Sequence, residues 1–112
     1  MTVCDAGDVA IVPFPFADIA IAKPRPALAL SAREANESNG ATLFAMITTA
    51  ARSRWPSDIP LTDGAAAGLS NASLVRLKLF TLDNRLVSRA IGALSARDRA
   101  SVRKMLKSVL TI

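Results

Sequence analysis

The chain has 112 residues, of which 51% are hydrophobic, so it is long enough for one compact domain with its own core. It contains no histidine, which excludes histidine-dependent triads and dyads and every zinc site that needs an imidazole ligand. Its formal net charge is +5, and its single cysteine, Cys4, cannot form a disulfide within the chain.

Short strands dominate the predicted secondary structure. Apolar and alternating segments, separated by turn residues, predict strands at residues 8–14, 26–32, 41–49, 58–61, 74–80 and 85–93. The polar segment 33–40 ends in Asn39-Gly40, a dipeptide typical of tight turns. The second and third strands are therefore expected to pair antiparallel across this turn.

A helix is predicted after Ser95, which resembles the first residue of a capping box with Asp98 in the place of glutamate. Apolar residues recur at helical spacing on one face and basic residues fall mainly on the others. The apolar set is Ala100, Val102, Met105, Leu106, Val109 and Leu110. The basic set is Arg97, Arg99, Arg103, Lys104 and Lys107.

Together these elements predict one mainly β domain over residues 1–112, a small antiparallel barrel or curled sheet with a C-terminal helix packed on it. No apolar run reaches the roughly 18–20 residues of a membrane span, and the N-terminus lacks the apolar run of a signal peptide. These features, with the lone cysteine, predict a cytoplasmic protein that makes no contact with a membrane.

The basic charge is concentrated at the C-terminus. Residues 85–112 hold seven basic residues and only Asp98 as an acid, whereas residues 1–84 hold seven basic and eight acidic residues. Such a segment suits a nucleic acid or an acidic protein partner. An ordinary solvated helix face explains the same pattern.

Arg25 is the most informative residue, because it lies between Pro24 and Pro26 at the start of an apolar strand. The two prolines restrict the backbone and push the residues before them toward extended conformations. A guanidinium held this way suits bidentate binding of a phosphate. The alternative is a salt bridge at the end of the strand, with Asp8 or Asp18 as the partner.

Several segments, in the same order along almost the whole chain, resemble the MazF/PemK family of toxin endoribonucleases. The first three are Gly7-Asp8-Val9 running into Val12-Pro13-Phe14, Arg25-Pro26-Ala27-Leu28 leading to Ser31, and Ile47-Thr48-Thr49. Those downstream resemble the PemK-like branch: Asp58-Ile59-Pro60-Leu61, Ala67-Gly68-Leu69, Ser73-Leu74-Val75-Arg76, Lys78 to Asp83, and Ile91 to Ser95.

The resemblance implies an SH3-like barrel with a C-terminal helix, assembled as a homodimer. It implies a growth-inhibiting mRNA interferase that cleaves single-stranded RNA without a metal or other cofactor, leaving a 2′,3′-cyclic phosphate. It also implies an acidic antitoxin that lays an extended segment across the active groove. The family's catalytic arginine and threonine correspond to Arg25 and Thr48.

The chemistry of these residue types agrees with that role in part. Arginine clamps phosphate oxygens, and the Thr48 hydroxyl adds a neutral donor. Proton transfer is the difficult step, because arginine has a pKa above about 12 and is a poor general base. Water, or a carboxylate such as Asp18 in the first loop, is the candidate to assist.

Further residues are expected to contact RNA. The set is Lys23, Thr49, Arg52 and Arg54. The arginines could equally be solvated loop charges, and Trp55 either stacks on a base or covers the barrel. A non-catalytic barrel that engages a protein target or an acidic antitoxin peptide is the alternative function.

Overall fold

The computed structural model describes residues 1–13, 23–50 and 54–112. Within these segments the chain forms six strands, two helices and one 3₁₀ turn. The strands are β1 (Asp8–Pro13), β2 (Pro24–Ala29), β3 (Ala41–Thr49), β4 (Ile59–Pro60), β5 (Ser73–Asp83) and β6 (Arg89–Ala93). The helices are α1 (Arg33–Asn39) and α2 (Ala96–Val109), and the 3₁₀ turn is Asn84–Leu86.

All six strands belong to one curled antiparallel sheet with the order β4-β5-β3-β2-β1-β6. The predicted antiparallel pairing of the second and third strands is confirmed, with Leu28 opposite Ala45. The mainly β fold with a C-terminal helix is also confirmed. The strand predicted at residues 85–93 is shorter: Asp83 caps the 3₁₀ turn by accepting a hydrogen bond from the Arg85 N–H, so β6 begins only at Arg89.

Strand alternation divides the core between the two faces of the sheet. One face carries Val12 and Phe44, and the Phe44 ring stacks on Phe80 with 5.7 Å between centroids. The opposite face carries Leu28 and Ile47 and is covered by α2 and the connection between β4 and β5. Because both faces of β2 and β3 are buried, these strands are apolar at most positions. A sheet with one face in water would instead alternate apolar and polar residues.

The segment 33–40 is a helix, not the predicted turn. The side chain of Asn36 is fully buried, and its amide donates to the carbonyl oxygens of Cys4 and Ser31. Gly40 ends α1 in the left-handed conformation with φ +69°, and its N–H donates to the Asn36 carbonyl. The Asn-Gly signal is therefore a helix end, and the second and third strands are joined across α1.

Helix α2 begins as predicted, with the Ser95 side chain accepting a hydrogen bond from the Asp98 N–H. The Asp98 carboxylate accepts three hydrogen bonds from Thr62 and one from the Asp63 N–H. Burial alone raises the pKa of Asp98, but these hydrogen bonds outweigh it and hold that pKa below its usual value. Asp98 thus ties α2 to the connection after β4.

The apolar face of α2 is only partly buried. Val102 and Met105 pack in the core with Leu106 beside them, whereas Val109 and Leu110 are 39% and 54% exposed. Neither helix in residues 1–13, 23–50 and 54–112 is long and apolar enough to cross a membrane.

Candidate functional site

A cleft of about 380 Å³ opens at the end of the sheet where β2 begins and β3 ends. The connection before β5 and the first residues of β6 complete its walls. Apolar residues of β1, β2, β3 and β6 form its floor. Its polar lining consists of Arg25, Thr48, Thr49, Ser70, Asn71, Ser73 and Arg89.

Arg25 is the second residue of β2 and is exposed at this cleft, between two prolines that lack an N–H. It lies opposite Val12 of β1, and Pro26 lies opposite Ile11. The backbone at this point is fixed by proline rings on both sides and by a neighbouring strand. The guanidinium is therefore displayed from a rigid support, as the sequence predicted.

Thr48 lies on β3, the strand next to the one that carries Arg25. Ala27 pairs with Met46, and continuing this antiparallel register by two residues brings Arg25 opposite Thr48. Directly opposed residues share a face of the sheet and approach each other closely. The structure thus brings the two predicted catalytic residues together at one end of one cleft, with Thr48 half-buried and Arg25 exposed.

Further hydroxyl and amide groups line the same cleft. Thr49 is exposed at the end of β3, paired with Ser73 at the start of β5. The Ser73 hydroxyl donates to the Asn71 carbonyl oxygen over 2.9 Å, which fixes the connection at this edge. The cleft therefore offers several neutral hydrogen-bond donors beside the arginine.

The cleft is electropositive. Its lining contains Arg25 and Arg89 and, among the described residues, no carboxylate. Neither arginine has an ion-pair partner within residues 1–13, 23–50 and 54–112, and Asp8 instead accepts a hydrogen bond from the Asp5 N–H. The proposed salt bridge to Asp8 is therefore absent from this part of the chain, while Asp18 lies outside the described residues. Two cations and several hydroxyl groups suit a phosphate-containing ligand.

Sequence reasoning missed Arg89, which the fold places in the cleft across β1 from Pro26. In the sequence it is one of many C-terminal basic residues within a predicted strand. The only signal is that its neighbours Ile91 and Gly92 belong to the family-like segment before the helix. Which face of β6 it occupies depends on strand register and is not encoded in the local pattern.

Three of the predicted RNA-binding residues are not among the described residues that line the cleft. Lys23 is exposed immediately before β2, and Arg54 is exposed before β4, but neither belongs to the described lining of the cleft. Arg52 lies outside the described residues. Lys23 is two residues from Arg25 and so remains near the mouth of the cleft.

Trp55 covers a buried ion pair. The Arg76 guanidinium forms two hydrogen bonds with the Asp58 carboxylate, at 3.0 and 2.8 Å, and lies 5.1 Å from the centroid of the Trp55 ring. These hydrogen bonds from Arg76 hold the pKa of Asp58 below its usual value, against the opposing effect of burial. Trp55 therefore lies against the Arg76 guanidinium and remains 39% exposed.

Two other reactive centres are disfavoured. Cys4 is fully buried, and burial raises the pKa of its thiol, so the nucleophilic thiolate is scarce. Within the part of the chain that the structure describes, no three side chains among aspartate, glutamate and cysteine are grouped so as to hold a metal ion.

A second groove of about 340 Å³ lies between α2 and the sheet. Its floor is largely leucine, and Arg99, Arg103 and Lys107 follow one another along α2 at its edge. Their spacing of four residues places them on one side of the helix. This groove is apolar below and basic at the rim, in contrast to the hydroxyl-rich cleft.

The family model of PemK-like, MazF-like toxins of type II toxin–antitoxin systems matches residues 5–110. No curated protein is significantly similar in sequence. A crystal structure of MazF from Deinococcus radiodurans is 26% identical and superposes with a TM-score of 0.77, covering 100% of both chains.

Two further solved structures share the fold. A MazE–MazF complex from Deinococcus radiodurans is 24% identical with a TM-score of 0.76 and covers 100% of this chain and 99% of that one. An endoribonuclease from a mycobacterial species, in complex with its cognate antitoxin, is 14% identical with a TM-score of 0.75 and coverage of 97% and 96%. The match of the family model to nearly the whole chain establishes that this protein belongs to the PemK-like, MazF-like toxins of type II toxin–antitoxin systems.

Proposed function

We propose that this toxin is an endoribonuclease, an mRNA interferase that cleaves single-stranded RNA at the cleft containing Arg25 and Thr48. The observation that carries the proposal is that one cleft holds both the Thr48 hydroxyl and Arg25, which has no ion-pair partner among the described residues, and that the described lining of this cleft has no carboxylate. An RNA phosphodiester is the anion that such a lining suits.

In the proposed reaction the ribose 2′-oxygen attacks the adjacent phosphorus and the bond to the 5′-oxygen breaks. The products are a 2′,3′-cyclic phosphate and a free 5′-hydroxyl, so one proton leaves the 2′-hydroxyl and one reaches the 5′-oxygen. Negative charge grows on the non-bridging phosphate oxygens. Arg25 holds these oxygens, and Thr48 donates a hydrogen bond to one of them.

Electrostatic stabilisation is the main contribution of the pair. One preorganised donor contributes roughly 3–4 kcal/mol to an anionic transition state in a site shielded from water. The prolines on both sides of Arg25 lower the cost of holding the guanidinium in place, because little backbone freedom remains to be lost.

Proton transfer has no efficient agent among the described lining residues. Guanidinium and hydroxyl groups do not titrate near neutral pH, so water accepts the 2′-proton, with Asp18 the carboxylate to test for assistance. We expect a slow enzyme in which positioning of the phosphate dominates.

Lys23, Thr49, Arg52 and Arg54 are proposed to contact the RNA strand on either side of the cleaved bond. Thr49 lines the cleft and Lys23 lies beside its mouth. Contacts to phosphates add affinity without reading the bases.

The decisive experiment is cleavage of single-stranded RNA by purified protein in the presence of EDTA. Arg25→Ala is expected to lower kcat by about 10²–10³-fold, because it removes one preorganised donor. Arg97→Ala, an exposed arginine on α2, serves as the matched control and is expected to cleave normally.

Circular dichroism and thermal unfolding must show that Arg25→Ala is folded. Cleavage that requires a divalent cation, or full activity in Arg25→Ala, would contradict the proposal. Mapping of new 5′ ends after expression in cells identifies the cleaved sequence.

An acidic antitoxin and a homodimeric, cytoplasmic state complete the proposal. Structures of related toxins have been solved with MazE and with a cognate antitoxin. The antitoxin is proposed to cross the catalytic cleft with an extended segment, which would block RNA.

The second candidate function is protein binding without catalysis. It is favoured by the groove beside α2, since a leucine floor with a rim of Arg99, Arg103 and Lys107 suits an acidic amphipathic peptide. This function predicts growth inhibition or tight partner binding with no RNA cleavage at any protein concentration. The EDTA cleavage assay separates the two candidates.

A further inference from the structure

We infer that Arg89 binds a second RNA phosphate, next to the one that Arg25 holds, and that a β-bulge in β6 exists to aim it there. The inference rests on the proposed function, because it assumes that the cleft receives a polynucleotide. It concerns affinity and the path of the strand, not the chemical step.

The pairing of β1 with β6 changes register by one residue. Val9 lies opposite Gly92, but the next residue, Ala10, lies opposite Ala90. Ile91 is therefore the extra residue of a bulge. Bulges redirect side chains and often occur beside functional sites.

The bulge decides which face Arg89 occupies. Without the extra residue, the register set by Val9 and Gly92 would place Arg89 opposite Val12. Val12 is fully buried and is not part of the cleft lining, whereas Ile11 is. With the bulge, Arg89 lies opposite Ile11, on the other face, and lines the cleft.

The connection before β5 packs against this bulge by backbone contacts that only glycine permits. A Cβ on Gly92 would lie 2.5 Å from the carbonyl oxygen of Ala66, and one on Gly68, where φ is +75°, would collide with the Ile91 carbonyl. The Ala93 N–H also donates to the Ala66 carbonyl oxygen over 3.1 Å. The bulge is thus held from outside the sheet.

Geometry assigns the two arginines to different phosphates. Arg89, Ile11 and Pro26 form a row across three strands, so Arg89 is two strand spacings, about 10 Å, from the β2 backbone. Arg25 lies opposite Val12 and Arg89 lies opposite Ile11, so the two residues belong to opposite faces of the sheet although both line the cleft. A single phosphate clamped by Arg25 and Thr48 leaves Arg89 facing the next position of the strand.

The charge of Arg89 is available for this role. It is exposed, and within the described residues no carboxylate pairs with it. Each phosphate contact on a single strand contributes about 0.7 to the slope of log affinity against log salt concentration. Loss of one contact is therefore measurable as a change in that slope.

The test uses a mixed-sequence single-stranded oligonucleotide with 2′-O-methyl groups, which cannot be cleaved, so it does not depend on catalysis. Arg89→Ala is expected to weaken binding about tenfold and to lower the salt slope by about 0.7. Arg89→Lys keeps the charge and should retain the slope, and Arg97→Ala is the matched control.

Cleavage kinetics provide the second readout. On RNA, Arg89→Ala is expected to raise KM and leave kcat within about twofold, whereas Arg25→Ala lowers kcat. An unchanged salt slope, or a fall in kcat as large as that of Arg25→Ala, would overturn the inference. If the wild-type protein binds the oligonucleotide with the expected slope but cleaves no RNA, the proposed function fails and the second phosphate site stands.

Discussion

Three arginines, on strands β2, β5 and β6 of the same sheet, have different surroundings. Arg76 on β5 is buried with Asp58, and their side chains are 11% and 4% exposed. Arg25 and Arg89 reach the surface at the cleft, where the described lining provides no acid. The prolines beside Arg25 distinguish it in the sequence, but Arg76 and Arg89 both read as basic residues in predicted strands. Asp58, from a distant segment, pairs with Arg76 and gives it a structural role, whereas Arg25 and Arg89 remain accessible to a ligand at the cleft.

The Asp58–Arg76 pair makes stability depend on pH. The pKa of Asp58 is lowered in the folded state, from about 3.9 in an unfolded chain, so its contribution is present at neutral pH and is lost as the pH falls through the folded value. We expect Asp58→Ala to reduce the free energy of unfolding at neutral pH by about 3–5 kcal/mol, because Arg76 is left without this carboxylate.

Urea unfolding at about pH 7 and about pH 3 measures both effects. The wild-type protein should lose more stability between the two pH values than Asp58→Ala does. Glu34→Ala, at an exposed position of α1, is the control and should change little at neutral pH. Equal acid sensitivity of the wild type and Asp58→Ala would refute the assignment.

Two elements depart from their local sequence pattern, and contacts from distant segments explain both. The polar segment 33–40 becomes α1 because Asn36 and Asn84 form a buried network. The Asn84 amide donates to the Asn36 carbonyl over 2.8 Å, and its oxygen accepts from the Thr42 hydroxyl. Strand β6 contains a bulge because Gly68 and Gly92 allow another loop to pack against it. Neither cause is visible within the element itself.

The bulge predicts a specific effect of glycine substitution. Gly92→Ala is expected to lower the free energy of unfolding by about 1–3 kcal/mol, because its Cβ would overlap the backbone of Ala66 and Ala67. It should also lower the salt slope of oligonucleotide binding, as Arg89 is displaced. Gly64→Ala is the matched control in the same connection, where a Cβ would make only ordinary contacts at 3.6 Å or more.

Thermal and urea unfolding of the two variants decide this prediction. Gly64→Ala should lie within about 0.5 kcal/mol of the wild type. If Gly92→Ala were as stable as Gly64→Ala, the close packing of the connection against the bulge would be wrong.

At the scale of the whole molecule, two surfaces of the described chain carry groups of basic residues. The cleft displays Arg25 and Arg89, and the groove along α2 displays Arg99, Arg103 and Lys107. Both attract anions, but only the cleft combines cations with hydroxyl groups. The other is lined mainly by apolar side chains, which suits an amphipathic acidic peptide better than a phosphate backbone.

The proposed homodimer rests on the family, and the proposed acidic antitoxin is also supported by these basic surfaces. Light scattering of the purified chain should give about twice its mass of 11.8 kDa, as expected for a homodimer.

A co-expressed acidic antitoxin should bind with an affinity that falls as the salt concentration rises, because opposite charges attract the two proteins to each other. Arg89→Ala, in the cleft, should weaken this binding at low salt more than Arg97→Ala does. A monomeric mass would contradict the homodimer, and salt-independent binding would contradict an electrostatic partner.

The sequence by itself determined the mainly β fold, the antiparallel pairing of β2 and β3, the start of α2 and the family resemblance that singled out Arg25 and Thr48. Apolar periodicity, proline restriction and helix capping act over a few residues, and local sequence is enough to reveal them. Only the tertiary structure decided that buried Asn36 anchors a helix, that Asp58 pairs with Arg76 and that the bulge at Ile91 places Arg89 in the cleft. These outcomes depend on strand register and on contacts between segments far apart in sequence, since a one-residue shift moves a side chain to the opposite face.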